Sequence, residues 1–273
     1  MSAASWLTRF LALAAVALGL APATALAQAA TPPNAARKIK ILLDAYPDTL
    51  AGVQGNEIHF KDGTRLPFDD GKGRKDFPAL LSGPDIEDMF AIPYPVGGPF
   101  EPPPLNSDPG RIRNAAFFRA MYGDCTKGEV PGNLVDVAWL PKRSGAKIRM
   151  TRVNGVADRL AAVSRELDAL PDAYAKYLLP VAGTYNCRPV AGTERPSAHG
   201  YGIAIDIATT HAHYWRWSKP SSGGRYSYRN AIPYKIVAIF EKHGFIWGGR
   251  WYHFDTMHFE YRPELLAAAR AAP

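Results

Sequence analysis

The sequence predicts an α+β fold with a mostly antiparallel sheet and flanking helices. Helical and strand-like patterns interleave along the 273 residues without a regular strand–helix–strand order and without an internal repeat. The clearest strand pattern covers residues 203–208, where isoleucines alternate with two alanines and Asp206. A carboxylate is costly to bury in an apolar strand unless a cation or a hydrogen-bond network holds it. Asp206 therefore indicates a site that supplies one of these two.

Each predicted element follows from a local pattern. Apolar residues at helical spacing, with Gly244 as a stop signal after the last helix, predict helices over 36–46, 110–123, 155–170 and 230–244. Two alternating runs around Asp62-Gly63 predict a β-hairpin over 56–71. Short apolar or alternating runs predict further strands over 134–141, 146–153, 202–208, 245–249 and 257–261.

The N-terminus is typical of an export signal. Arg9 precedes a short apolar run, and the small-residue pattern at 25–27 predicts cleavage after a signal peptide of residues 1–27. A membrane anchor is the weaker alternative, because the run is shorter than the roughly 20 residues that span a bilayer. No later segment is expected to span a membrane. We therefore expect an exported protein, periplasmic or secreted, with an N-terminal extension or subdomain over 28–110 and a main domain over 111–273.

Charge and cysteine usage narrow the class of protein. The net charge is +7, but lysines and arginines are scattered, so no nucleic-acid partner is expected. A mildly basic exported protein is suited to an anionic polymer such as the cell wall.

The two cysteines, Cys125 and Cys187, lack CxxC partners, and an exported compartment permits a disulfide between them. A reactive thiol or a metal ligand is the alternative to this bridge.

A candidate metal site surrounds Asp206. Catalytic zinc usually takes three protein ligands and leaves one position to water. His199 and Asp206 form an H-x6-D pair, and the glycines between them let a loop histidine and a strand aspartate converge. His258 and Glu260 share one face of the last predicted strand, so His258 can supply the third ligand. Asp255 lies at the start of this strand, within reach of a metal-bound water.

These residues resemble a known enzyme family, the zinc D-alanyl-D-alanine carboxypeptidases and L-alanyl-D-glutamate endopeptidases, which include VanY-like and endolysin-like peptidases. The resemblance covers about residues 180–262. It is carried by Ser197-x-His199-x-x-Gly202-x-Ala204-x-Asp206, followed by Asp255-x-x-His258. It implies the hedgehog/D,D-peptidase-like fold, with residues 111–273 as the zinc peptidase domain.

The resemblance also implies roles for individual residues. His199, Asp206 and His258 would bind Zn²⁺, and Asp255 would act as the general base. Arg188 matches an arginine that binds carbonyl or oxyanion charge, although it is only eleven residues before His199, and Arg195 is nearer still.

Three further residues have alternative roles. Glu260 is the second choice for the base, and its other role is to orient a ligand histidine. Ser197 and His253 are candidate substrate-binding residues, while Ser197 could instead cap its loop and His253 could be a turn histidine.

The expected function is hydrolysis of peptide stems of peptidoglycan by zinc-activated water with a carboxylate base. The sequence leaves open whether the enzyme is an endopeptidase or a D,D-carboxypeptidase, since both need the same zinc chemistry. A zinc-stabilised cell-wall binding module without catalysis is the main alternative, and an enzyme for another exported peptide is a further one. Asp255 argues against the binding module, because such a module needs no base.

Overall fold

A computed structural model describes residues 33–97 and 101–271. The predicted signal peptide, residues 1–27, lies outside the described residues. The helices are α1 (Pro33–Ala45), α2 (Phe77–Ser82), α3 (Ala115–Tyr122), α4 (Val156–Asp168), α5 (Ala175–Leu178), α6 (Tyr234–Lys242) and α7 (Pro263–Arg270). The strands are β1 (Leu50–Gln54), β2 (Glu57–Phe60), β3 (Arg65–Pro67), β4 (Leu134–Trp139), β5 (Ala146–Thr151), β6 (Ala204–Asp206), β7 (Phe245–Trp247) and β8 (His258–Tyr261).

The strands form small antiparallel sheets, as the α+β prediction requires. In the described part of the chain the sheets have the orders β1-β2-β3, β4-β5 and β6-β8-β7. The hairpin predicted around Asp62-Gly63 is the β2–β3 pair, and β1 adds a strand that was not predicted. This class of architecture is confirmed.

The third sheet positions the candidate site. Strand β8 lies between β6 and β7 and pairs antiparallel with both. Strand β6 is shorter than the strand predicted over 202–208. Its three residues are the ones that pair with β8, and this pairing sets the ends of the strand. On the apolar side, Phe259 stacks on Phe240 of α6 with ring centroids 3.8 Å apart. Helix α6 therefore supports the sheet from its apolar face.

Residues before and after the predicted boundary at 110 share one core. Tyr46, directly after α1, is fully buried and donates a hydrogen bond to Glu264 of α7 at 2.5 Å. Phe60 of β2 packs edge-to-face on Phe117 of α3, with centroids 5.6 Å apart. The described residues, 33–97 and 101–271, belong to one compact unit. The division into an N-terminal extension or subdomain over 28–110 and a main domain over 111–273 stays a prediction.

The predicted disulfide is confirmed. Cys125 and Cys187 are bonded, with Cα atoms 5.6 Å apart. The bridge joins the turn after α3 to the segment that carries Arg188. Among the described residues, no helix has the length and apolar character needed to cross a membrane.

Candidate metal centre

The three predicted ligands come from two strands and a turn. Asp206 ends β6 and lies directly opposite His258 at the start of β8. Directly opposed residues of an antiparallel pair have neighbouring side chains on one face. His199 reaches them from a 3-10 turn, Ala198–Tyr201, at whose start the Ser197 side chain accepts a hydrogen bond from the His199 N–H.

Glycine at position 202 makes the turn-to-strand connection possible. Gly202 has a φ of +69°, in the left-handed region that favours glycine. A Cβ there would lie 2.7 Å from Leu134 Cδ2. The chain can therefore leave the histidine turn and enter β6 directly.

The ligand atoms of this group face one another at close range. Oδ1 of Asp206 is 3.2 Å from Nε2 of His199 and 3.0 Å from Nδ1 of His258. The two histidine nitrogens are 3.2 Å apart. Zinc ligands at roughly 2.0–2.2 Å in a tetrahedron lie about 3.3–3.5 Å from one another. The spacing therefore suits a small tetrahedral cation, and this group could hold a metal ion.

Hydrogen bonds behind the ligands fix both histidine tautomers for metal binding. Nδ1 of His199 donates to the Thr184 carbonyl at 2.5 Å, which leaves Nε2 unprotonated. Nε2 of His258 donates to Oε2 of Glu260 at 3.0 Å, so in the neutral imidazole Nδ1 is the nitrogen with a lone pair for a cation. This is the usual outer arrangement around a metal-binding histidine. Glu260 thus lies where it can orient His258, which is one of the two roles expected for it from the sequence.

Electrostatics also favour a positive charge at this point. Burial lowers the pKa of His258, but hydrogen bonds with Asp206 and Glu260 outweigh it and raise this pKa to about 10. The pKa of the Asp206 carboxyl is held well below its usual range by the two histidines, against the opposing effect of burial. The donor set and its charge therefore fit a divalent cation.

Glu260 is held by a buried network that the sequence did not predict. Nη1 of Arg113 lies 2.9 Å from Oε2 of Glu260, and Nη1 of Arg262 lies 3.2 Å from Oε1. Arg262 in turn donates to Glu264 at 2.5 Å, and Glu264 accepts the hydrogen bond from Tyr46. A continuous chain of contacts therefore runs from α1 to the ligand His258. Sequence spacing carries no signal for it, since Tyr46 and Glu264 are 218 residues apart.

Asp255 lies beside the ligands with one oxygen unused. Its Oδ1 is buried and has no hydrogen-bond partner among the described residues. Burial, with the nearby charge of Asp206, raises the pKa of the Asp255 carboxyl to about 6. A half-buried carboxylate with a free oxygen and a raised pKa can accept a proton from water in the cleft.

A cleft of about 250 Å³ opens onto the ligands. Its lining includes Ser197 and Asp255 as well as the three ligands. The lining also contains four guanidinium groups, which we call the cleft arginines: Arg111, Arg113, Arg188 and Arg195. Arg111 and Arg113 were not singled out in the sequence, where their only signal is an alternation around Ile112.

His253 lies outside the residues that line this cleft. Its backbone N–H donates to Asp108 Oδ1 at 3.0 Å, and its Nδ1 lies 2.6 Å from Oδ2 of the same buried carboxylate. Its ring meets that of Trp215 edge-on, with centroids 4.7 Å apart. In this position Asp108 anchors the loop that leads to Asp255.

Comparison with known proteins agrees with this geometry. Residues 191–261 match the family described as D-alanyl-D-alanine carboxypeptidase. The match contains all three ligands and Asp255, and it confirms the resemblance on which the sequence analysis relied. The chain is thus similar to a peptidase family over these residues. No curated protein matches the chain.

Proposed function

We propose that this protein is an exported zinc peptidase that hydrolyses peptide stems of peptidoglycan. The observation that carries the proposal is the convergence of His199, Asp206 and His258 with Asp255 in one cleft, inside the segment that matches a peptidase family. Zinc held by the three ligands would supply a water of lowered pKa and a Lewis acid for the scissile carbonyl.

The roles of the protein's own residues follow from their positions. Asp255 takes the proton of the attacking water and passes it to the leaving amine. Arg188, which lines the cleft next to the bonded Cys187, binds the scissile carbonyl as its negative charge grows. Glu260 keeps His258 oriented, and Ser197 holds the His199 turn and forms part of the substrate wall.

Export is supported by the disulfide, because such bonds persist in oxidising compartments. The N-terminal signal pattern adds to this. Peptidoglycan is the substrate class that the family's description favours. That description names the carboxypeptidase reaction. The sequence GGRWYHFDTMHFE, residues 248–260, resembles instead the endopeptidase branch of the family.

Replacing the base tests the mechanism. We expect Asp255→Ala to retain bound zinc and to lose at least about 10²-fold in hydrolysis of peptidoglycan peptides, since general base catalysis contributes about 10²–10⁴-fold. Asp44→Ala is the matched control, because Asp44 is an exposed carboxylate that pairs with Lys40 on the surface. A folded, zinc-bound Asp255→Ala protein with wild-type activity would show that the base is misassigned.

A further inference from the structure

Trp217 is a large apolar side chain that the fold leaves in solvent. It is 62% exposed, more than any other large hydrophobic residue in the described ranges 33–97 and 101–271. Single exposed apolar side chains are common on protein surfaces. Trp217, however, lines the cleft that contains His199 and Asp255. A ligand that extends out of this cleft along Trp217 would take its indole ring out of water, which is favourable.

Tyr214 adds a second ring beside Trp217. The two rings meet edge-on, with centroids 5.8 Å apart, and both line the cleft. We call them the aromatic platform. An edge-on contact is a preferred arrangement of two aromatic rings, so Tyr214 supports the orientation of the indole. Unlike the cleft arginines, the platform carries no charge, and it therefore suits a neutral ligand with an apolar face.

The backbone beneath the platform is joined to the loop that carries the proposed base. Tyr214 forms an antiparallel bridge with Asp255. The N–H of Trp215 donates to the Phe254 carbonyl at 2.9 Å. The N–H of Trp217 donates to the Tyr214 carbonyl at 2.9 Å, which closes a short 3-10 turn. The platform is therefore held at a fixed position relative to Asp255.

The neighbours of Trp217 anchor this turn. The ring of Trp215 packs edge-on against His253, with centroids 4.7 Å apart. The guanidinium of Arg216 lies over the Trp215 ring, 4.9 Å from its centroid. A Cβ at Gly192 would lie 2.6 Å from Nη1 of Arg216, so Arg216 also packs on the loop before the His199 turn. Such preorganisation lowers the entropic cost of binding.

The proposed substrate contains one group that matches the platform. Peptidoglycan stems are joined through a lactyl group to N-acetylhexosamine rings of the glycan strand. The stem peptide itself offers mainly methyl groups, carboxylates and amines. A pyranose ring is neutral and presents a flat face of C–H groups, while its hydroxyls stay in water at the edge. The sugar is therefore the part of the substrate that can cover an exposed indole.

The size of the cleft limits which bond is cut when the sugar lies on the platform. The volume of about 250 Å³ is below the roughly 300–1,000 Å³ typical of ligand pockets, so it holds only a few residues. The L-alanyl–D-glutamate bond is one residue from the lactyl group. The terminal D-alanyl–D-alanine bond is about four residues away, or roughly 13–14 Å of extended chain. Contact between the sugar and Trp217 therefore favours a bond close to the glycan.

We propose that the aromatic platform binds an N-acetylhexosamine ring of the glycan strand, so that the enzyme prefers stems still attached to sugar and cuts them near the sugar. This inference rests on the proposed peptidase function and adds a saccharide subsite to it. Trp217 is then a specificity-determining residue.

Two substrates with the same peptide test this proposal. One is the N-acetylglucosaminyl-N-acetylmuramyl pentapeptide, and the other is the lactyl pentapeptide left after β-elimination of its sugars. We expect the wild-type zinc enzyme to prefer the sugar-bearing compound by about tenfold in kcat/KM, as burial of roughly 50–60 Å² of apolar surface allows. Equal kcat/KM for the two compounds would overturn the proposal.

Variants assign the preference to the platform. In Trp217→Ala the ratio of the two kcat/KM values should fall to near one, and Trp217→Tyr, which keeps an aromatic ring, should retain part of it. Leu105→Ala is the matched control, because Leu105 is 53% exposed and is not among the residues that line the cleft. A Trp217→Ala enzyme that keeps the wild-type ratio would contradict the proposal, even if both rates were lower.

Binding measurements keep the inference separate from the proposed function. Calorimetry with the same two compounds on zinc-bound Asp255→Ala measures affinity without turnover. Tighter binding of the sugar-bearing compound, lost when Trp217→Ala is added, supports the subsite even if the wild-type enzyme cuts neither compound. Equal affinities contradict it, whether or not hydrolysis is observed. Equal affinities together with self-association that Trp217→Ala abolishes in sedimentation would assign the platform to a second copy of the chain instead.

Discussion

The candidate metal ligands and the groups that support them come from two different regions of the chain. All three ligands and Asp255 lie within residues 191–261, which match a peptidase family. Arg113 and Asp108 lie outside that match, yet they contact Glu260 and His253 within it. Tyr46 and its partner Glu264 both lie outside it and reach Glu260 through Arg262. The matched segment therefore contains the proposed ligands and the proposed base, while residues outside it contact the side chains around them.

The largest effect should come from removing a ligand within the matched segment. We expect His258→Ala to lose bound zinc, because two ligands remain where a catalytic site needs three. Metal analysis of the purified variant checks this. His243→Ala is the control, since His243 also bonds a glutamate, Glu166 at 2.7 Å, but lies outside the cleft lining. Stoichiometric zinc in His258→Ala would remove this residue from the ligand set.

The next effect tests support from outside the match. Arg113→Gln removes a charge partner of Glu260, so His258 should be held less firmly, and we expect zinc affinity to fall by about 10–100-fold. Competition with a chelator of known affinity measures this. Arg119→Gln is the matched control, because its exposed side chain pairs with Asp124 instead. If both variants bound zinc with equal affinity, Arg113 would not support the site, and the expected support from outside the matched segment would be contradicted.

The disulfide offers a test of intermediate size. Replacing Cys125 and Cys187 together by serine opens a link across 62 residues and should lower the free energy of unfolding by about 2–4 kcal/mol. Because Arg188 follows Cys187 directly, kcat/KM should fall as well. Denaturant unfolding and steady-state kinetics check both effects. An unchanged kcat/KM would show that Arg188 is positioned without the bridge.

The substitution with the smallest expected effect, at Tyr46, tests most closely how far support from outside the matched segment extends. Tyr46→Phe removes the hydrogen bond that links α1 to Glu264, and we expect the free energy of unfolding to fall by about 1–3 kcal/mol. A loss of a few-fold in zinc affinity should accompany it if the buried chain of contacts reaches His258. Tyr174→Phe, whose ring packs against the same core, is the control. Lower stability with unchanged zinc affinity would show that Tyr46 stabilises the fold without affecting the metal site.

How far the sequence predicts this molecule depends on the distance over which residues act. Asp206 and His258 were predictable because their strands alternate and their spacing resembles a known motif. The β6 strand was predicted longer than it is, since pairing with β8 sets its ends. Strand β1 was missed because Gly52 lies at its irregular pairing point, and α7 was missed although Pro263 starts it.

The supporting residues could not be predicted in the same way. Arg113 contacts Glu260 across 147 residues, and no local pattern connects them. The same is true of Asp108 and His253, which are 145 residues apart. Such partners become visible only when folding brings the segments together.

The central claim is zinc-dependent cleavage of peptidoglycan, and one measurement addresses it directly. Purified peptidoglycan is incubated with the protein from residue 28 onward, with and without a zinc chelator, and the products are analysed by mass spectrometry. We predict new fragments that disappear with the chelator and return when zinc is restored, with masses that identify the bond. The absence of new fragments from a folded protein that contains zinc would contradict the claim.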